Sequence, residues 1–176
     1  MRMRVACLLL IGVIVAAAIL HHPGRASATT AEEYKSTLLA VGRFGEIDVF
    51  TQFISPSLTK DEHKSIWLSR QKTKGTSDLY AQSNILAPGG STGWHSHPGH
   101  SLIIVTEGKV TNYEGHDPDC KPHIYTQGMG FVDLGGNHVH ILRNEGDVEA
   151  RTIAVQLIPS DTARRIDAAE PGNCHF

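Results

Sequence analysis

The sequence predicts an all-β fold, an antiparallel barrel or sandwich. Three observations predict it. From residue 79 onward, short stretches rich in β-branched and aromatic residues recur, turn residues separate them at short intervals, and no long amphipathic helix interrupts the series. Residues 79–86 form the first of these strands, ended by Pro88-Gly89-Gly90. Residues 94–97 are the second, stopped by Pro98-Gly99, and residues 101–106 are the third, closed by Glu107-Gly108-Lys109. Residues 110–113 follow, and a long loop over 114–122 leads into 123–126. Residues 131–133 then precede the Gly135-Gly136-Asn137 turn, and 138–143 and 151–158 complete the set. Residues 160–166 have the length and composition of a short terminal helix.

The chain before residue 75 is less regular. Residues 34–40 are expected to form a helical turn, and 44–54 alternate enough to be a strand. Thr59 with Glu62 forms a capping-box pattern ahead of a short helix through Leu68, although Ile66-Trp67-Leu68 equally opens a strand. One or two short peripheral helices therefore accompany the expected barrel.

The N-terminus has the pattern of an export signal. Arg2 and Arg4 supply a basic start, residues 5–20 are an apolar run of 16, and Ala26-Ser27-Ala28 is a small-x-small cleavage site. A membrane span needs roughly 20 such residues. Residues 1–28 are thus expected to be a signal peptide, with retention as an anchor the alternative, and residues 29–176 a single domain of about 148 residues. Loss of Arg2, Arg4 and Arg25 takes the net charge from −2 to roughly −5. No basic stripe remains, which argues against nucleic acid or an anionic membrane as partner, and no stable span is expected after cleavage. A secreted or periplasmic location follows. There, Cys120 and Cys174, the two cysteines left, are expected to form a disulfide rather than persist as free thiols.

Two histidine clusters carry the chemistry. His95-Ser-His97 and His138-Val-His140 each place two imidazoles two residues apart, which in a strand puts them on one face. Two such strands side by side would gather three or four nitrogen donors around one metal ion. His100 follows a Pro-Gly break, so its direction is open. His138 is expected to share a face with His140.

The spacing of these segments resembles a known family. Gly89, five residues, His95-Ser-His97 and, after ten more, Gly108 resemble the first motif of the cupin superfamily. Gly130, His140 and Asn144 resemble the second, with Gly135 in place of its proline and Asn137 in place of its glycine. The resemblance covers roughly residues 79–158. It implies a double-stranded β-helix, or jelly-roll barrel, with both motifs lining one end of the interior. It also implies a metal site of His95, His97 and His140, with Gly89, Gly108, Gly130 and Asn144 in structural roles, and it suggests a homodimer. The motif glutamate is absent, and Ser101 stands at its position. His100, Ser101 and His138 remain as additional ligand or pocket candidates. Three-histidine sites are similar to those of some cupin dioxygenases that use Fe(II).

Losing the carboxylate leaves a neutral three-nitrogen site, which would favour anionic or chelating oxygen donors. Fe, Mn, Zn, Ni and Cu are all compatible, and an exported setting makes Fe(II) harder to keep reduced. Two functions follow: a metal-dependent oxidoreductase or dioxygenase acting on a small organic molecule, or a module that binds a metal or small ligand without turnover. Glu107 and Asp133 are expected to be a solvated turn residue and a turn cap. His116 and His123 are expected to be loop polarity and Trp94 a packing residue. Tyr80, Ser83, Tyr113 and Phe131 are candidates for the cavity wall. The sequence contains no G-x-S-x-G, P-loop or dinucleotide fingerprint.

Overall fold

Alternation of side chains sets the strands, and the computed structural model describes them over residues 27–54 and 66–176. Among these residues the chain forms twelve strands and no helix. They are β1 (Glu32–Phe44), β2 (Asp48–Ile54), β3 (Ile66–Lys72), β4 (Ser77–Ser91), β5 (His95–Ser96) and β6 (Ser101–Glu107), then β7 (Lys109–Glu114), β8 (His123–Thr126), β9 (Gly130–Asp133), β10 (His140–Arg143), β11 (Ala150–Pro159) and β12 (Ile166–Asp167). Residues 1–26 of the expected signal peptide, and Thr59 and Glu62 of the capping-box pattern, lie outside the described residues.

Ten strands join in one antiparallel sheet that curls into a nearly closed barrel. The 15-residue β4 is its spine: β1 pairs along one edge of it and β11 along the other. On β6, Ser101, Ile103 and Val105 point inward while Leu102 and Ile104 face outward. On β11, Ala150, Thr152, Ala154, Gln156 and Ile158 point inward. This two-residue period is what the pleat demands of a strand with one wet face. The main core gathers Leu86, Ile103, Val105, Val110, Phe131, Leu142, Ala150 and Ala154, and a second cluster holds Trp94, Tyr113, Ile141 and Cys174.

The expected barrel is present, but among the described residues its peripheral helices are not. Residues 34–40 lie within β1, because pairing with β4 along its length outweighs a modest helical preference. Ile66-Trp67-Leu68 opens β3, which pairs with β2 as a separate two-stranded sheet. Residues 160–166 are not helical either. Asp161 sits at φ 62°, and Ile166 and Asp167 pair with Ser96 and His95.

The two sequence motifs meet in space. Asn144 N–H donates to Gly90 O and Gly89 N–H to Asn144 O, both at 2.9 Å. The buried Asn144 amide donates to Leu86 O and Val148 O and accepts from Gly146 N. Gly108 turns the β6–β7 hairpin at φ 66°, where a Cβ would stand 2.6 Å from Glu149 O. Gly130 opens β9 opposite Ile104.

Cys120 and Cys174 form a disulfide with a Cα–Cα distance of 5.3 Å across 54 residues of chain. It ties the C-terminal tail to the loop after β7. Reducing it, or making Cys174→Ser, is expected to lower the unfolding free energy by about 2–4 kcal/mol. Urea denaturation with and without reductant measures this, and identical midpoints would show that the bridge is absent or idle.

Candidate metal centre

Three imidazoles converge because β10 is flanked by β5 and β7. His140 is the register partner of His95 on β5 and of Glu114 on β7. His97 follows directly on β5. The ring centroids lie 4.5 Å apart for His95 and His140, 4.8 Å for His95 and His97, and 5.8 Å for His97 and His140. One nitrogen from each ring falls within 4.8 Å of the others. His95 and His140 are buried, and His97 is half-buried.

Hydrogen bonding sets the tautomer of all three rings. His95 Nδ1 is 2.8 Å from Gly93 O and His97 Nδ1 is 2.6 Å from Arg164 O. A carbonyl only accepts, so each Nδ1 carries the proton. His140 Nδ1 is 3.0 Å from Asn112 Oδ1, and the amide of Asn112 is oriented by its own Nδ2 donating to Glu114 at 2.7 Å. In the neutral rings each Nε2 is therefore left with a lone pair. His140 Nε2 is buried without a hydrogen-bond partner. An orphaned buried acceptor is costly, and this one lies in a cluster of three imidazoles each held from behind, which offers the donor set that a metal site requires. The residues present fit a divalent ion.

The other expected residues divide clearly. Ser101 is buried on the cavity wall, and its Oγ donates to Asp133 at 3.3 Å. His100 and His138 do not join the cluster. They line a separate surface hollow with His116, whose ring lies 5.4 Å from that of His138. His138 belongs to the turn before β10, so strand parity does not carry it to the face of His140. Asp133 caps its turn by accepting from Gly135 N at 3.0 Å, yet its other oxygen lies 3.4 Å from His97 Nε2.

A cavity of about 220 Å³ opens beside the histidines. Tyr34 and Ser36 of β1, Gln82 and Asn84 of β4, and Arg164 and Arg165 before β12 contribute to its wall. Tyr80, Ser83, Tyr113 and Phe131 do not line it: Tyr113 and Phe131 pack in the two cores. Arg164 and Arg165 carried no sequence signal, because only the return of the chain to β5 brings them to the cavity. Asn112, two residues from Glu114 on a strand, was detectable in principle as an inward polar position. Burial raises the Tyr34 phenol above its ordinary value and keeps it protonated.

The family described as "Cupin domain" matches residues 84–156. No curated protein matches the sequence. Among solved structures, an uncharacterised conserved protein with a double-stranded β-helix domain from Klebsiella pneumoniae subsp. pneumoniae aligns at 19% identity, covering 51% of this chain and 74% of that one, with a TM-score of 0.44. A cupin superfamily protein from Desulfitobacterium hafniense aligns at 14% identity over 46% of this chain and 67% of its own, with a TM-score of 0.39. An oxalate oxidase aligns at 22% identity over 47% of this chain and 46% of its own, with a TM-score of 0.40.

Burial first, then the neighbouring His140, Arg165 and His97, hold His95 well below the ordinary imidazole value of 6.5. Burial also lowers His140, against the pull of Asp133. Between 6.5 and the depressed native value, the unfolded chain takes up a proton that the native ring refuses. Stability therefore declines as pH falls through that window. The unfolding free energy of metal-free protein is expected to drop between about pH 7 and pH 5, as measured by urea denaturation. A flat profile would contradict the neutral, buried assignment of His95.

Proposed function

Residues 84–156 form a cupin domain, and from that premise we propose that the protein is an exported metal-binding cupin. It holds one divalent ion on His95, His97 and His140 and acts as an oxidoreductase, of dioxygenase type, on a small anionic organic molecule. The observation that supports this most directly is the common tautomer of the three rings, each Nδ1 tied to an acceptor and each Nε2 turned toward the same spot. Imidazole donors suit Fe, Mn, Ni, Cu and Zn alike, so the metal's identity stays open between them. When bound, such an ion supplies Lewis acidity and, for the redox-active metals, a centre for oxygen chemistry.

The chain's own residues would bind and orient the substrate. The volume of about 220 Å³ suits a small molecule. Arg164 lies over the Tyr80 ring with its guanidinium carbon 4.5 Å from the centroid, and it hydrogen-bonds Gln82. Its Nε is buried without a partner, a donor ready for an anionic oxygen. Arg165 stands at the same wall, where its guanidinium is ion-paired with Asp167. Ile103, Leu142 and Ala154 give the cavity an apolar side that limits water.

One observation favours the alternative of a binding module without turnover. Among the described residues, the cavity wall beyond the three histidines carries no aspartate, glutamate or further histidine, and the nearby carboxylate of Asp133 stands behind the wall against His97 and His140.

Protein produced as the full chain in an exporting host is expected to contain about one divalent metal per chain by elemental analysis. His97→Ala should bring this to background. Oxygen uptake on adding small carboxylic acids, diketones or phenolics supports the oxidoreductase. Stoichiometric metal with no uptake leaves the binding module, and no metal in the wild type removes both readings. Export carries its own test, since the mass of the recovered protein should begin at Thr29. Recovery of the protein only inside the cell would refute it.

A further inference from the structure

We infer that Asp133 is a fourth metal ligand, supplying from β9 the carboxylate that Ser101 does not supply from β6. This rests on the reading that His95, His97 and His140 hold an ion. In the antiparallel β6–β9 ladder, Ser101 and Asp133 are direct register partners. Directly paired residues share a face and stand roughly 4.5–5.5 Å apart at Cβ. A carboxylate moved from one position to the other keeps the same face and reaches the same space.

The geometry at Asp133 fits ligation. Its Oδ2 lies 3.4 Å from His97 Nε2 and 3.7 Å from His140 Nε2. Adjacent donors of a tetrahedral or octahedral ion with bonds near 2.1 Å stand roughly 3.0–3.4 Å apart, so Oδ2 is near ligand spacing from His97 and His140, and a shift of its side chain toward His95 is needed to join the 4.8 Å span the three imidazoles share. The side chain is only 2% exposed, and among the described residues no lysine or arginine pairs with it. Its oxygens accept from Gly135 N and Ser101 Oγ. Neither donor carries a positive charge, and a buried carboxylate without a cation is strongly disfavoured.

What faces it sharpens the argument. The Nδ1–H groups of His97 and His140 donate away from the centre, to Arg164 O and Asn112 Oδ1, so both Nε2 atoms present lone pairs toward Oδ2. With the rings neutral, acceptors thus confront acceptors in a buried space, where Oδ2 accepts only from the uncharged Ser101 hydroxyl and His140 Nε2 has no hydrogen-bond partner. A metal cation satisfies all of them at once. Ser101 then acts as a positioning residue that aims Oδ2, while Oδ1 stays with the turn. The site becomes three neutral nitrogens and one carboxylate, which lowers the net charge of a divalent centre to +1.

The test uses the full-length protein, stripped of metal with a chelator and titrated with Zn(II) by calorimetry and with Co(II) by visible absorption. Asp133→Asn is expected to weaken both affinities at least about tenfold and to change the Co(II) ligand-field spectrum. The metal-free variant should melt no lower than the metal-free wild type. The exchange Ser101→Glu with Asp133→Ser returns the carboxylate to β6 and should hold affinity within about threefold of wild type. It remains informative if Asp133→Asn fails to fold. Wild-type affinity and an unchanged Co(II) spectrum in Asp133→Asn would overturn the inference while leaving the three-histidine reading intact, provided His97→Ala still abolishes binding. Absence of Zn(II) and Co(II) binding in the wild type would instead overturn that underlying reading.

Discussion

The centre depends on outward hydrogen bonds from Nδ1 of three buried imidazoles. A free imidazole rotates and exchanges tautomers, and either nitrogen can present to a ligand. Here Gly93 O, Arg164 O and Asn112 Oδ1 each remove that freedom from one ring. The result is three lone pairs directed at one place before any ligand arrives, in surroundings dry enough to lower His95 and His140. Preorganisation of this kind reduces the ordering cost that a metal would otherwise have to offset.

The rest of the barrel can be understood as what holds those acceptors still. β10 brings His140 to β5 and sets it diagonally from Asn112 on β7. The Gly89–Asn144 and Asn144–Gly90 backbone bonds tie the end of β4 to the end of β10, so the two histidine segments cannot slide apart. The C-terminal segment has two roles. Arg164 supplies the carbonyl behind His97, while the Arg164 and Arg165 side chains face the cavity. Beyond it, Cys174 is anchored to Cys120, and Asn173 donates to Glu114 O and Asp117 O. The tail is therefore part of the site's frame.

Much of this was legible in the chain. β6, β9 and β11 matched because one face of each is buried and alternation is then obligatory. His95, His97 and His140 came together as the cupin resemblance implied. The misreadings share one cause. Residues 34–40 contain Leu, Ala and Lys, which accommodate a helix, and only the long exposed edge of β4 makes them a strand. His138 follows the same i, i+2 arithmetic as His95, but the arithmetic holds only inside a strand, and His138 lies in a turn. Asp133 was correctly identified as a turn cap, yet a carboxylate has two oxygens, and a local pattern accounts for only one of them.

By itself, the sequence determined local matters: which residues alternate and where glycine lets the chain reverse. These depend on neighbours a few positions apart, and the covalent chain sets those distances. Only the tertiary structure decided what lies behind each ring and across from it. Arg164 is 67 residues from His97, Asn112 is 28 from His140, and Asp133 is 32 from Ser101. Such pairs are joined by strand register, as for Ser101 and Asp133, or by the path of the returning chain, as for His97 and Arg164, and no local stretch of sequence encodes either alone.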